Sequence, residues 1–312
     1  MEHKRTGLTL FGILWILVGL FLGLMAVFVV VSMVAWPSTP GAPPVKMMIP
    51  GMLMYVVAGA AFVALGVGSI MAKRWARSLI LALSWMWLVV GVLSAASMFF
   101  VLPKIFQTLP PEQAAAKPVI IGCVAIMVFL FFILLPGGAI LFYRNPKVKA
   151  AVEAFDPVPR WTDQPMPLLI FAIWMLAGAA CLFIVSFMYT SFPLGPWMLR
   201  GVSVYALMFA MCAVMLFIGL GALKRKPAAW WAAIGMFVAG MAIAVLFATK
   251  TDFAAWYREM GLASDPKQVE LMLAMYKSPY FIGWTIVFWL GYLAFLFYLR
   301  RYFFGAQNGE RM

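Results

Sequence analysis

Eight apolar runs divide this chain, and none contains a Lys, Arg, His, Asp or Glu. They are Leu8–Ala35, Gly51–Ala72, Ser78–Val101, Val119–Tyr143, Leu168–Tyr189, Gly201–Leu223, Ala228–Thr249 and Tyr280–Leu299. A helix needs about 20 residues to cross a bilayer, and each run is close to that length. In hydrocarbon every backbone amide must be bonded internally, which leaves helices or closed barrels. Barrel strands alternate in polarity over about 10 residues. These runs are continuously apolar, so they predict an all-α polytopic membrane protein with eight transmembrane helices.

Only 11% of the residues are charged, against 66% hydrophobic. A soluble domain carries about 25% charged residues. The net charge of +13 would suggest nucleic acid in a soluble protein. Here the basic residues lie at the ends of the runs, where they serve as topology signals and meet lipid headgroups. No nucleic-acid partner is expected.

Fifteen of the 23 Lys and Arg fall on one side of the eight spans: Lys4, Arg5, Lys73, Arg74, Arg77, Arg144, Lys147, Lys149, Arg160, Lys224, Arg225, Lys226, Arg300, Arg301 and Arg311. The other side has Lys46, Lys104, Lys117, Arg200, Lys250, Arg258, Lys267 and Lys277. The positive-inside rule therefore places both termini in the cytoplasm. The uncharged stretch from Thr6 to Val45 is much longer than the roughly 7–15-residue core of a signal peptide, so the first run reads as an uncleaved anchor.

The chain reads as duplicated. Gly66, Gly68, Lys73 and Ala76 recur at a constant offset as Gly219, Gly221, Lys226 and Ala229. Trp15 and Gly19 resemble Trp174 and Gly178. Leu141-Phe142-Tyr143 resembles Leu296-Phe297-Tyr298, and Trp36-Pro37 resembles Phe192-Pro193. The expected organisation is a first four-helix half at 1–145, a linker at 146–166 and a second half at 167–312. Four spans return the chain to its starting side, so the halves would be parallel, unlike the inverted repeats of many transporters. The first part of the linker suits a short surface helix. The second, with Pro157, Pro159 and Pro165, should be extended. Between spans seven and eight, Asp265-Pro266-Lys267-Gln268 is a helix start, followed by Val269, Met272, Leu273 and Tyr276 on one face. It predicts an amphipathic helix near 266–276 on the extracytoplasmic side, a connector burying its own apolar face in preference to a lid or partner contact.

The residues exclude several chemistries. No span holds an ionisable side chain of the kind that marks proton or ion pathways, and no Asn or Gln either. The one histidine, His3, is in the N-terminal tail, which removes bis-His haem, His-based zinc and Ser-His-Asp sites. Cys123, Cys181 and Cys212 are scattered among the spans and read as small apolar residues. No metal, cofactor or catalytic residue is expected. Glu153, Asp156 and Asp163 cluster in the linker and read as solvated carboxylates rather than a catalytic pair.

Two sets of residues remain as binding candidates. Lys73, Arg74, Arg77, Lys224, Arg225, Lys226, Arg300 and Arg301 are placed for anionic lipid headgroups. Tyr280, Trp284, Phe288 and Tyr292 recur every fourth residue in span eight, either as packing aromatics or as the wall of a pocket for a lipid tail or quinone. Small-residue pairs, Gly19/Gly23, Gly91/Ala95, Gly235/Ala239 and Gly240/Ala244, suit close helix packing inside the bundle. Pro136-Gly137-Gly138 can hinge span four. The segment Gly66 to Arg77 resembles a span-end pattern of bacterial membrane proteins, and that resemblance implies a bacterial cytoplasmic membrane but no activity. The expectation is a non-enzymatic subunit or assembly factor of a membrane complex. The alternative is a carrier of an apolar molecule between the two halves.

Overall fold

The computed structural model describes residues 2–35, 45–107, 117–189, 191–252, 255–256 and 278–305. Its helices are α1 (Glu2–Ala35), α2 (Val45–Ile70), α3 (Arg74–Gln107), α4 (Lys117–Val128), α5 (Leu135–Arg144), α6 (Pro146–Phe155), α7 (Met166–Ser186), α8 (Val202–Leu223), α9 (Pro227–Lys250) and α10 (Pro279–Phe304). Among the described residues, eight stretches are long and apolar enough to cross a membrane: Thr6–Ala35, Met48–Ile70, Arg74–Ala96, Pro118–Arg144, Met166–Ser186, Val202–Leu223, Pro227–Phe247 and Ile282–Phe304. These are the eight runs of the sequence. The 266–276 helix lies outside the described residues.

The chain forms two compact units, Met1–Leu17 with Val63–Met166, and Val18–Phe62 with Pro167–Met312. In the first, glycine sets the approach of α1 to α2. A Cβ added at Gly66 would stand 2.5 Å from the Gly12 carbonyl oxygen and 2.9 Å from the Ile16 nitrogen. Lipid tails are as apolar as side chains, so area burial drives little helix association; close van der Waals packing does. In the second unit, a Cβ at Gly59 would stand 2.8 Å from the Gly19 oxygen and 3.3 Å from the Gly23 nitrogen. The Gly19/Gly23 pair of α1 is therefore used inside the molecule, against α2. Gly240 admits the Trp289 ring, whereas Gly235 faces open space.

Span four is α4 and α5 joined by a π-helical segment, Phe129–Leu134. Pro136 explains the change of pitch. It has no N–H for the Phe132 carbonyl four residues back, and its ring crowds that position. Widening the preceding turns relieves both problems. The Phe132 carbonyl then lies against Gly91 of α3, where a Cβ would be 2.6 Å away. Trp87 packs edge-on to Phe132, with ring centroids 6.4 Å apart.

The loop after span five contains an element that period-counting passes over. Ser191–Leu194 (β1) and Trp197–Arg200 (β2) pair antiparallel, with Leu194 opposite Trp197. Gly195, at φ +65°, occupies the first position of the two-residue turn, which requires positive φ in the II′ geometry. The Thr251 hydroxyl donates to the Gly195 carbonyl at 3.3 Å, and the Trp256 indole to the Ser191 carbonyl at 3.4 Å.

The linker starts as expected. Asn145 caps α6, accepting from the Lys147 N–H at 2.9 Å, with Pro146 at the first helical position. Its second part is less extended than its prolines suggest. Asp163 and Arg160 close a turn, the Asp163 N–H donating to the Arg160 carbonyl at 2.9 Å and the Arg160 N–H to the Asp163 carboxylate at 2.7 Å.

Candidate functional site

The polar chemistry of the described residues gathers in three places. The first is a buried hydroxyl pair in the first unit. Ser69 is 1% exposed and Tyr143 fully buried. Their hydroxyls are 2.6 Å apart, and Ser69 also donates to the Leu8 carbonyl at 3.0 Å. The three residues tie α1, α2 and α5 together. A polar group in an apolar bundle is stable only when partnered, which fixes the register of these helices. Screening the spans for charges and amides misses the pair. The signal available was a serine and a tyrosine each within one turn of a span's basic end.

The second place is the start of α3. The α2–α3 turn is a Schellman motif: Ala72 sits at φ +51°, its N–H donates to the Ser69 carbonyl at 2.9 Å, and the Lys73 N–H donates to the Gly68 carbonyl at 2.8 Å. Gly68 lets α3 fold back, since a Cβ there would stand 2.7 Å from that of Ala76. This puts Arg74 in the first helical turn, a poor site for a cation beside the positive end of the helix. The linker corrects it. The Asp156 carboxylate accepts from the Arg74 N–H at 3.2 Å and so caps α3 from 82 residues away. The Arg74 guanidinium meets Asp163 at 2.9 Å and Glu153 at 3.4 Å. Arg160 pairs with Asp156 at 3.4 Å, and Lys149 with Glu153 at 3.8 Å. The Arg74 N–H, more than any other group, holds the Asp156 carboxyl below its ordinary range, and the Arg160 guanidinium adds to this. The three linker carboxylates are thus brought together, around Arg74.

The third place is the basic end of α8, α9 and α10. The α8–α9 turn is also a Schellman motif. Arg225 has φ +50°, its N–H donates to the Ala222 carbonyl at 3.0 Å, and the Lys226 N–H donates to the Gly221 carbonyl at 2.9 Å. A Cβ at Gly221 would stand 2.6 Å from that of Ala229. Here Pro227 occupies the first helical position and has no N–H to cap. Trp230 is buried and donates to the Leu296 carbonyl at 2.8 Å, locking α9 to α10. Arg300 lies over the Trp230 and Phe304 rings at 6.0 and 5.7 Å. Arg301 lies over Tyr298 and Tyr302 at 4.0 and 4.8 Å and donates to both hydroxyls. Lys224, Arg225, Lys226, Arg300 and Arg301 are all exposed.

The aromatic series of span eight is divided by the fold. Phe288 is 44% exposed. Tyr292 is half-buried and stacks on Phe237 of α9 at 6.0 Å, and Trp289, outside the series, meets the same ring at 5.3 Å. Trp284 is half-buried; the side chain of Tyr280 is outside the described set. Among the described residues, no three His, Cys, Asp or Glu side chains group as metal ligands.

Eight apolar helices with charge confined to their ends define a polytopic α-helical membrane protein. A scan against family models, a search of curated proteins and a search of solved structures each found no match.

Proposed function

We propose that this protein is a non-catalytic integral membrane subunit, a structural or assembly partner within a membrane complex. One observation carries the reading. The carboxylates best placed for chemistry already have structural work. Glu153 and Asp163 hold Arg74, and Asp156 caps α3. A general acid or base needs a free lone pair and a pKa moved toward neutrality, whereas Asp156 is moved away from it. The helix surfaces, by contrast, are available. Ile126, Met127, Phe129 and Leu134 of span four are each more than half exposed and present an apolar face that lipid or a neighbouring helix covers.

The two halves are read as a parallel repeat, with both basic turns in the cytoplasm. Support comes from the equivalence of the turns: glycine at 68 and 221, alanine at 76 and 229, and left-handed non-glycine residues at 72 and 225. Purification in mild detergent, with mass spectrometry of the protein and lipid fractions, tests the function. A stoichiometric protein partner is expected. A single apolar ligand without a partner would favour a carrier. If Glu153→Gln, Asp156→Asn or Asp163→Asn abolished function with the fold intact, the non-catalytic reading would fail.

A further inference from the structure

The two Schellman turns differ in how their cations are satisfied. In the first unit, the linker supplies carboxylates to Arg74. In the second unit, the only acidic residue described is Asp252, just beyond the opposite end of α9 from Lys226. Lys224, Lys226, Arg300 and Arg301 therefore share one end of α8, α9 and α10 with no carboxylate among the described residues of that end. We propose that this end binds the phosphate headgroup of an anionic phospholipid.

Three features favour a lipid over a soluble anion or an acidic protein. First, the surface just beyond the cations is exposed and apolar, with Leu220 at 51%, Phe297 at 55% and Trp231 at 62%. The site thus matches a charged head joined to an apolar tail. Second, the guanidinium groups are preset. The rings of Trp230, Phe304, Tyr298 and Tyr302 hold Arg300 and Arg301 in place, so binding orders fewer side chains. Third, Trp and Tyr at this level suit the headgroup boundary. Arg provides planar donors to phosphate oxygens, and Lys224 and Lys226 add mobile charge.

The test uses the full chain in nanodiscs of phosphatidylcholine with increasing phosphatidylglycerol, read by native mass spectrometry of retained lipid. The wild type should retain phosphatidylglycerol selectively. The quadruple variant Lys224→Gln/Lys226→Gln/Arg300→Gln/Arg301→Gln should lose about tenfold or more of that retention, while Lys224→Arg/Lys226→Arg keeps it. If the quadruple variant misfolds by circular dichroism, Lys224→Gln/Lys226→Gln, at two exposed side chains, should still show several-fold loss. Unchanged retention in the variants overturns the proposal. Equal displacement of lipid by the water-soluble headgroup glycerophosphoglycerol would assign the site to free anions and also overturn it. Loss of a bound acidic protein with lipid retention unchanged would do the same.

Discussion

Single residues in this protein matter most where a polar group is buried or a charge is misplaced. The Ser69–Tyr143 pair is the first case. Ser69→Ala leaves the Tyr143 hydroxyl without that partner in an apolar interior and should cost about 1–2 kcal/mol. Tyr143→Phe removes the other group. The double variant should be less destabilised than the two single variants summed, because neither leaves the other stranded. Thermal unfolding in detergent measures the cycle; strict additivity would show that the hydroxyls do not interact. Asp156 is the second case, and its sign follows from its environment. A carboxyl held below its ordinary value in the folded state adds stability that is fully present above the unfolded value of about 3.9. That stability is lost as pH falls through the folded value. Acid should therefore loosen the linker from α3 below about pH 4, and Asp156→Asn should flatten the stability profile in that window. Hydrogen exchange at residues 74–77 across the titration reads the event directly, and an identical profile in the variant would refute it.

At the level of elements, close backbone approach separates replaceable glycines from irreplaceable ones. Gly66 and Gly219 align in sequence, yet their surroundings differ. A Cβ at Gly66 would meet the Gly12 carbonyl oxygen at 2.5 Å and the Ile16 nitrogen at 2.9 Å, both backbone. At Gly219 it would meet the Leu176 side chain at 2.8 Å, with the Ala172 oxygen at 3.2 Å. A leucine can change rotamer and a helix backbone cannot. Gly66→Ala should therefore cost about 1–3 kcal/mol, and Gly219→Ala distinctly less. Equal losses in a denaturant titration would count against this. The same contrast shows what the sequence could tell. All eight spans were legible, because apolar run length is a property of the chain alone. The turns at Ala72 and Arg225 were visible only as a Gly-x-Gly repeat. The left-handed residues in them are not glycines, so nothing local announced their backbone. The π-helical segment before Pro136 was legible as a proline disturbance. Its partner Gly91, on a different helix, was not. The linker acids were seen as a group, but their target was not, because Arg74 lies 79 or more positions before them.

For the molecule as a whole, sidedness decides which ends meet which compartment, and it follows from charge and parity together. The alternation of eight spans assigns fifteen of the 23 basic residues to one side in the sequence reading, and short basic loops resist translocation. α8 separates the Gly195 hairpin from the Lys224–Lys226 turn by one membrane crossing, so these two sites must report opposite sides. Four spans lie between the Lys73 turn and the Lys224 turn, so these two must report the same side. A background lacking Cys123, Cys181 and Cys212 gives a clean reporter. In it, Trp197→Cys, at an exposed residue of the hairpin, should react with a membrane-impermeant maleimide in intact cells. Lys224→Cys and Lys73→Cys should react only after permeabilisation. Labelling of all three from outside would break the parity of eight crossings. Labelling of 73 and 224 without 197 would keep the crossings and invert the orientation. The anionic-lipid site would then face the opposite leaflet, with its chemistry unchanged.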